Sequence, residues 1–455
     1  MLLPETLRKY QNEYVASIAA TLSVFMVVTT NAWSSPALPK LRAEDSPIRI
    51  TEDEGSWIVA IQALGAGFGP IFTGVAADRI GRKLTCLSTC IPATVGWILI
   101  GVGDQVGYLY AARFLFGVSY GVVYSVTPIY LGEITSDAIR GSAGTLITVL
   151  AKLGFMAVYC IGPYVAYRTL AWMSMAGPVI FVVCYIWMPE SPYYLLGKNK
   201  DAKAEKSLSW LRRLKDVSDE LQAMKRSVES SKSDRTSIKE LFNPANRASL
   251  RILLILVFSM QMTGLLAILG YAQTIFEKIN TNLKPEEMSI VLGAVQFVAV
   301  IFPAVLVDRM GRRPLLLLST AVTAASLLAC SIYFIIEPNA TNHGWIAFVT
   351  LLLYIVSYGM GLASVSFAVS SEIFPKNIRA LANAAFAMFS ALVVLGVVKM
   401  FQVTLDSVGP QLPFGIFGIC GCVGFVLIYF FVPETKGLSL DEIQQVMNRQ
   451  NKKPA

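Results

Sequence analysis

The chain holds a single histidine, His343, in 455 residues, and charged side chains make up only 15% of it. One histidine leaves no Ser/His/Asp or Cys/His set to assemble. No glycine-rich loop stands between a strand and a helix to cradle a phosphate, so an enzyme is excluded and no cofactor is called for. A soluble globule carries about a quarter charged residues, which excludes that class too. The seven cysteines (Cys86, Cys90, Cys160, Cys184, Cys330, Cys420, Cys422) all fall in apolar runs. None is placed for a structural disulfide, and Cys86 and Cys90, one helical turn apart, are packing residues rather than metal ligands. A cleavable leader is not expected either, since residues 1–13 are polar and the apolar run after them is too long.

What the chain does have is hydrophobicity: 55% of its residues, in continuous runs of about 20, the helical length that crosses a hydrocarbon core. The runs are unbroken rather than alternating at period two, which predicts helices. The expected class is an all-α polytopic membrane protein with twelve spans: 14–36, 56–77, 84–102, 107–129, 142–163, 169–188, 251–272, 288–307, 315–336, 345–371, 380–403 and 411–432. They form two six-helix halves, 14–188 and 251–432, flanked by a polar N-terminus (1–13) and tail (433–455). The segment between, 189–250, is charged. Ala204, Leu208 and Leu211 fall on one helical stripe within it, predicting short amphipathic helices, with a flexible tether as the alternative for 227–237.

The net charge of +8 is not gathered on one surface, so membrane topology accounts for it and nucleic acid is no partner. With the N-terminus inside, inner segments hold 29 of the 38 basic residues, which puts both termini in the cytoplasm. The sequon at Asn339 then falls in an outer loop, as a glycosylation site requires. Charge is costly beside hydrocarbon, so repeated charged turns carry information. Asp78-Arg79-Ile80-Gly81-Arg82-Lys83 returns 230 residues later as Asp308-Arg309-Met310-Gly311-Arg312-Arg313. Glu133 precedes Arg140 by seven residues, and Glu372 precedes Arg379 by the same seven. These duplicated charges point to two equivalent halves of one machine.

The paired turns resemble those of the major facilitator superfamily. Arg113-Phe114 with Gly117 and Gly121, Pro189-Glu190-Ser191-Pro192 and Pro433-Glu434-Thr435-Lys436-Gly437 narrow the likeness to its sugar porter branch. Trp33-Ser34-Ser35-Pro36 and Trp210-Leu211-Arg212 resemble the insect facilitated trehalose transporter group. The resemblance implies the major facilitator fold, with a solute bound between the halves. It also implies an inner ionic network of Asp78, Arg79, Arg82, Glu133 with Arg140, Asp308, Arg309, Arg312, and Glu372 with Arg379 that holds the halves together as a gate. Arg113 matches the branch's own arginine in span four and is expected in an internal polar network.

On the same resemblance the substrate residues are Thr148, Gln261, Thr263, Ser364, Ser366 and Phe367. Span seven departs from the branch's Gln-Gln-x-Ser-Gly-x-Asn: Met260 and Leu266 stand where amides do. Span ten has Gly361-Leu362-Ala363-Ser364-Val365-Ser366-Phe367 without the branch's prolines, and Phe367 in place of its tryptophan. Lys152, in mid-span five, is a candidate cation for an anionic solute or a side chain snorkelling to carbonyls. Proton-coupled relatives carry an aspartate near the place of Ser34, and no span has an acid deep inside, so passive exchange is expected.

Three readings stay open: facilitative carriage of a sugar at the plasma membrane, carriage of a less polar or anionic solute, and a non-transporting nutrient sensor, which the short tail disfavours. The partners are a small solute and the lipid bilayer, with no obligate protein partner.

Overall fold

The computed structural model describes residues 9–232, 238–279, 281–299, 310–336, 343–375, 378–438, 442–443, 445 and 447. Among them every regular element is helical, because hydrocarbon offers no partner for an unpaired backbone group. Eleven helices are long and apolar enough to cross a membrane: Gln11–Arg42, Glu52–Arg79, Arg82–Val102, Val106–Ile134, Arg140–Tyr164, Tyr167–Tyr185, Arg247–Gly270, Arg312–Ile336, Gly344–Ser370, Leu381–Ser407 and Gln411–Phe431. They coincide with eleven of the twelve expected spans. The eighth begins as the helix Pro285–Ala299, and its remainder lies outside the described residues. Exposed faces carry Ile91, Val179, Trp187, Ile336 and Phe430, the side chains a helix shows when its solvent is lipid. Hydroxyls inside the spans turn back on their own helices: Thr21, Ser23, Thr30 and Thr320 each donate to a carbonyl three or four residues earlier.

The contacts group the chain into two compact units. The first comprises 1–31, 65–155 and 168–235, the second 32–64, 156–167 and 236–455. This division differs from the expected halves in two first-half segments that pack with the second half. Inside the second unit the Ser35 hydroxyl accepts from the Gln273 amide at 3.2 Å, and Tyr159 donates to the Leu269 carbonyl at 3.1 Å. Hydropathy marks where a helix sits in the chain and says nothing of which neighbour it packs against.

In the first unit, Gly65 and Gly69 of the second span lie against Gly117 and Gly121 of the fourth; a methyl group on Gly69 or Gly121 would overlap the other helix's backbone. Trp97 packs on Phe116 with ring centroids 4.6 Å apart. Arg113, fully buried, donates to the Thr30 carbonyl at 2.6 Å, the internal role expected of it. The second unit has a core that includes Leu256, Leu316, Leu362, Val365, Phe374 and Ile428.

Among the described residues the linker holds the helices Asp201–Arg212 and Ser218–Lys232, with shorter ones at Pro192–Gly197 and Ile238–Leu241. Ala204, Leu208 and Leu211 are wholly buried, so the expected stripe is a packing face. Arg212 fixes the two longer helices to the N-terminal end of span one and the C-terminal end of span four. It pairs with Glu13 at 3.0 Å and Glu220 at 2.7 Å, and donates to the Ile134 carbonyl. Glu13 is buried and also accepts from the Ser136 amide at 2.7 Å.

Removing one partner of a buried ion pair strands the other and costs about 3–5 kcal/mol. Arg212→Ala is therefore expected to lower the thermal midpoint of the purified protein by several degrees. Adding Glu13→Gln should recover much of the loss, because the stranded charge is then gone; no recovery would show that Glu13 is not what Arg212 compensates.

Candidate functional site

The first charged turn joins the helix ending at Arg79 to the one beginning at Arg82. Gly81 between them has φ 101°, a conformation that side chains other than glycine's resist. A β-carbon here would also overlap the Glu190 carboxylate. That carboxylate accepts from the backbone N–H groups of Arg82 and Lys83, both at 3.1 Å, and from its own neighbour Ser191 at 2.8 Å. Helix starts leave their first N–H groups unpaired, and an anion set against them is stabilised by the helix dipole. The anchored Arg82 then reaches Glu133 through Nε and Nη2 at 3.0 Å, donates to the Ala77 carbonyl, and lies over the Tyr194 ring. Asp78 meets Arg82 at 3.4 Å and is otherwise solvated, with 79% of its side chain exposed. Lys83 completes the turn by donating to the Ile186 carbonyl at 2.6 Å.

The second turn repeats the plan of this construction, with Arg312 reaching its acid through Nη2 alone. Gly311 has φ 93°. Glu434 accepts from the backbone amides of Arg312 and Arg313 at 3.0 Å, and from Thr435 and Lys436. Arg312 pairs with Glu372 at 3.3 Å, whose other oxygen takes the Thr435 hydroxyl at 2.6 Å. Arg313 donates to the Tyr429 carbonyl at 2.6 Å. The two anchoring acids nonetheless sit differently. Burial pushes Glu190 above the ordinary carboxylate range, and the amides of Ser191, Lys83 and Arg82 pull back without cancelling it. At Glu434 burial acts the same way, but four amides, those of Lys436, Arg312, Arg313 and Thr435, outweigh it and hold the carboxyl below that range.

Two expected pairings give way to others. Glu133 pairs with Arg82 and not Arg140; Arg140 takes Asp137 at 2.7 Å, one helical turn away. Glu372 pairs with Arg312, and among the described residues Arg379 makes no ion pair. The reason is local: the carboxylate at the end of each half's last span aims the turn arginine, so that arginine reaches the acid first. Each cluster is thus complete within one unit. Arg79 is exposed and lends its carbonyl to the Tyr194 hydroxyl at 3.0 Å. Asp308, Arg309 and Asn339 lie outside the described residues.

The substrate candidates of the second unit lie at or beside irregular helix, while Thr148 and Lys152 sit in the unbroken helix Arg140–Ile161. Span seven breaks after Gln261, where Gly264 takes φ 76°, and again at Tyr271. Thr263 is wholly buried with its hydroxyl donated to the Met260 carbonyl at 2.9 Å; Gln261 is half-buried at the break. Tyr354 donates to the Thr263 carbonyl at 2.9 Å, satisfying a group the break would orphan. Span ten keeps an irregularity without its prolines: Gly359–Ala363 is a π turn. The Ser319 hydroxyl is inserted there, donating to the Ser357 carbonyl at 2.7 Å and accepting from the Leu362 amide at 2.9 Å. Beyond it Ser364 is exposed, Ser366 is fully buried, and Phe367 is 55% exposed against Phe386. In the first unit Thr148 is exposed, and Lys152 lies half-buried with its ammonium 5.6 Å from the Phe155 ring centre.

Glu190 and Glu434 were legible only as parts of a motif, and their role as anchors emerges here. Four buried amides stand outside the expected site residues: Gln62, Gln273, Gln296 and Gln402, each 5% exposed or less. All belong to the second unit. An amide inside an apolar run was the signal that marked them. Tyr120 and Tyr124 of span four, stacked at 4.5 Å, form an aromatic pair at i, i+4.

Comparison with known proteins agrees with this architecture. The profile of the sugar (and other) transporter family matches residues 6–447. A facilitated trehalose transporter Tret1 of Apis mellifera ligustica is 30% identical over 443 residues, 96% of this chain and 88% of its own. Its Bombyx mori counterpart is 31% identical over 438 residues, 95% and 86% of the two chains. Among solved structures, the major facilitator proton:xylose symporter XylE bound to 6-bromo-6-deoxy-D-glucose aligns with a TM-score of 0.78 at 20% identity, covering 96% of this chain and 100% of that one. Inward-open XylE from E. coli aligns at 0.80 with 19% identity, covering 95% and 99%. The duplicated turns, the multi-pass helical fold and the match along nearly the whole length place this chain in the sugar (and other) transporter family, with the major facilitator fold.

Proposed function

We propose that this protein carries a sugar, trehalose- or glucose-like, down its gradient across the plasma membrane by alternating access, with both termini cytoplasmic. The observation that carries the reading is the pair of equivalent clusters, Arg82–Glu133–Glu190 and Arg312–Glu372–Glu434. Each fixes the angle between consecutive spans inside its half of the chain, so that each half moves as a body and the gate opens by parting charged rims rather than by bending helices. Asp78, Arg79, Arg140, Asp308, Arg309 and Arg379 supply further charge to those rims. The names borne by the insect relatives support a disaccharide as the solute. A second reading, an anionic or less polar solute, is favoured by Lys152 in a membrane span and by the apolar Met260 and Leu266.

An uptake screen in oocytes or proteoliposomes, comparing trehalose, glucose and a panel of organic anions, decides between them. Trehalose or glucose uptake indifferent to an imposed pH gradient is expected; acceleration by an inward proton gradient would overturn passive carriage. Lys152→Met should leave sugar uptake unchanged and abolish that of any anion carried, whereas equal loss for both would assign Lys152 to structure.

A charge-assisted hydrogen bond is worth about 1.5–3 kcal/mol. Arg82→Ala or Arg312→Ala should accordingly slow uptake about tenfold or more at normal surface abundance. Wild-type kinetics in either variant would remove the clusters from the gate.

The anchors should also part with pH. Glu190, raised in the fold, contributes stability that is fully present at low pH and fades as pH rises through its folded value. The wild-type advantage over Glu190→Gln should therefore grow on acidification. Glu434, lowered in the fold, loses its contribution as pH falls, so the advantage over Glu434→Gln should shrink. Thermal midpoints of purified protein across the acidic range test both signs.

A further inference from the structure

The charged clusters described so far each join residues of a single half. A different one, inside the second unit, joins a first-half helix to a second-half helix. The helix Glu52–Arg79 opens with a capping box: the Glu54 amide donates to the Thr51 hydroxyl at 3.3 Å, and Glu54 accepts from the Thr51 amide at 2.7 Å. Its first turn is thereby held rigid, and that turn receives Lys399 from the helix Arg379–Ser407. The ammonium donates to Asp53 at 2.7 Å and to the Ser56 hydroxyl at 2.6 Å, and stands 4.3 Å from the Trp57 ring centre. Ser56 is itself aimed, since it donates to the Asp53 carbonyl at 2.6 Å. One turn further along, Gln402 donates to Glu52 at 3.0 Å and also meets Asp406. A third tie comes from span seven, where the Tyr271 hydroxyl meets the Gly55 carbonyl at 3.4 Å.

We infer that Lys399, seated on Asp53, Ser56 and Trp57, is a latch that holds the outer ends of spans two and eleven together while the protein is closed on that face. The inference rests on the alternating-access reading: for the outer face to open, these two ends must separate. A lysine in a membrane helix is tolerated only with a partner or water. Here the closed form supplies three partners at once, and opening exchanges all three for solvent. The ammonium is the indispensable member. Its side chain is 23% exposed while that of Asp53 is 72% exposed, and an exposed pair by itself contributes little.

The test is hydrogen–deuterium exchange on the full-length protein in nanodiscs, read at residues 48–60 and 395–407, with no solute added. Lys399→Met is expected to raise exchange in both segments about tenfold, the factor carried by losing one charge-assisted hydrogen bond. Asp53→Asn should raise it less, about fivefold at most. Lys399→Arg keeps the charge and should match wild type, which separates an open latch from a misfolded chain. Exchanging the two charges, Asp53→Lys with Lys399→Asp, should bring both segments back towards wild type. The latch is overturned if Lys399→Met leaves the two segments at the wild-type rate, or if the exchanged pair behaves no better than the single variants. Because no solute enters the measurement, a protein that carries none of the sugars tested yet shows this pattern would lose its sugar assignment and keep the latch.

Discussion

A carboxylate at the end of each half's last span, pressed against the open start of a helix far earlier in the same half, is the contact on which the rest depends. Glu190 reaches back to the amides of Arg82 and Lys83, and Glu434 to those of Arg312 and Arg313. Several features follow from it. The turn must contain a glycine, because any side chain there would occupy the carboxylate's place. The arginine after that glycine is held by its own backbone before its guanidinium meets an acid, which is why Glu133 and Glu372 find Arg82 and Arg312. The basic residue after it is left to bond carbonyls at the end of the same last span, Ile186 or Tyr429. Backbone, side chain and helix end close into one loop of bonds, and the chain builds that loop twice.

Elsewhere the membrane helices depart from regularity, and every departure described is met by a hydroxyl. Span seven is broken twice, and tyrosines from other spans reach its carbonyls, Tyr354 at Thr263 and Tyr159 at Leu269. A break in hydrocarbon without such donors would leave polar groups with no partner at all. The sequence departures in this region, Met260 and Leu266 for amides, change what the break can offer to a solute without removing the break.

The spans were legible because bilayer thickness sets one length for all of them, and the turns because charge between two apolar runs needs a reason. What spacing could not tell was partnership. Seven residues from Glu133 to Arg140 look like a pair on paper, yet Asp137 lies one turn from Arg140, and Arg82 is fixed by a carboxylate more than a hundred residues on. The linker stripe at Ala204, Leu208 and Leu211 could be read because amphipathic period is local; its fastening through Arg212 to Glu13 could not, since that contact is formed across the fold. Lys399 was visible only as a basic residue inside a span, and its partners stand 343 and 346 residues away.

Span ten shows how one mechanical part can be replaced by another. A proline hinge is permanent: the ring forbids the missing hydrogen bond in every state of the protein. The wide turn at Gly359–Ala363 is instead held open by a single serine hydroxyl wedged into the ladder from span nine. A wide turn is one surplus residue in the coil, and it offsets the face of the residues beyond it by about a hundred degrees from where a regular helix would put them. Ser364, Ser366 and Phe367 follow directly on that turn, so the direction each of them faces is set by a hydroxyl from a neighbouring span rather than by a ring within their own.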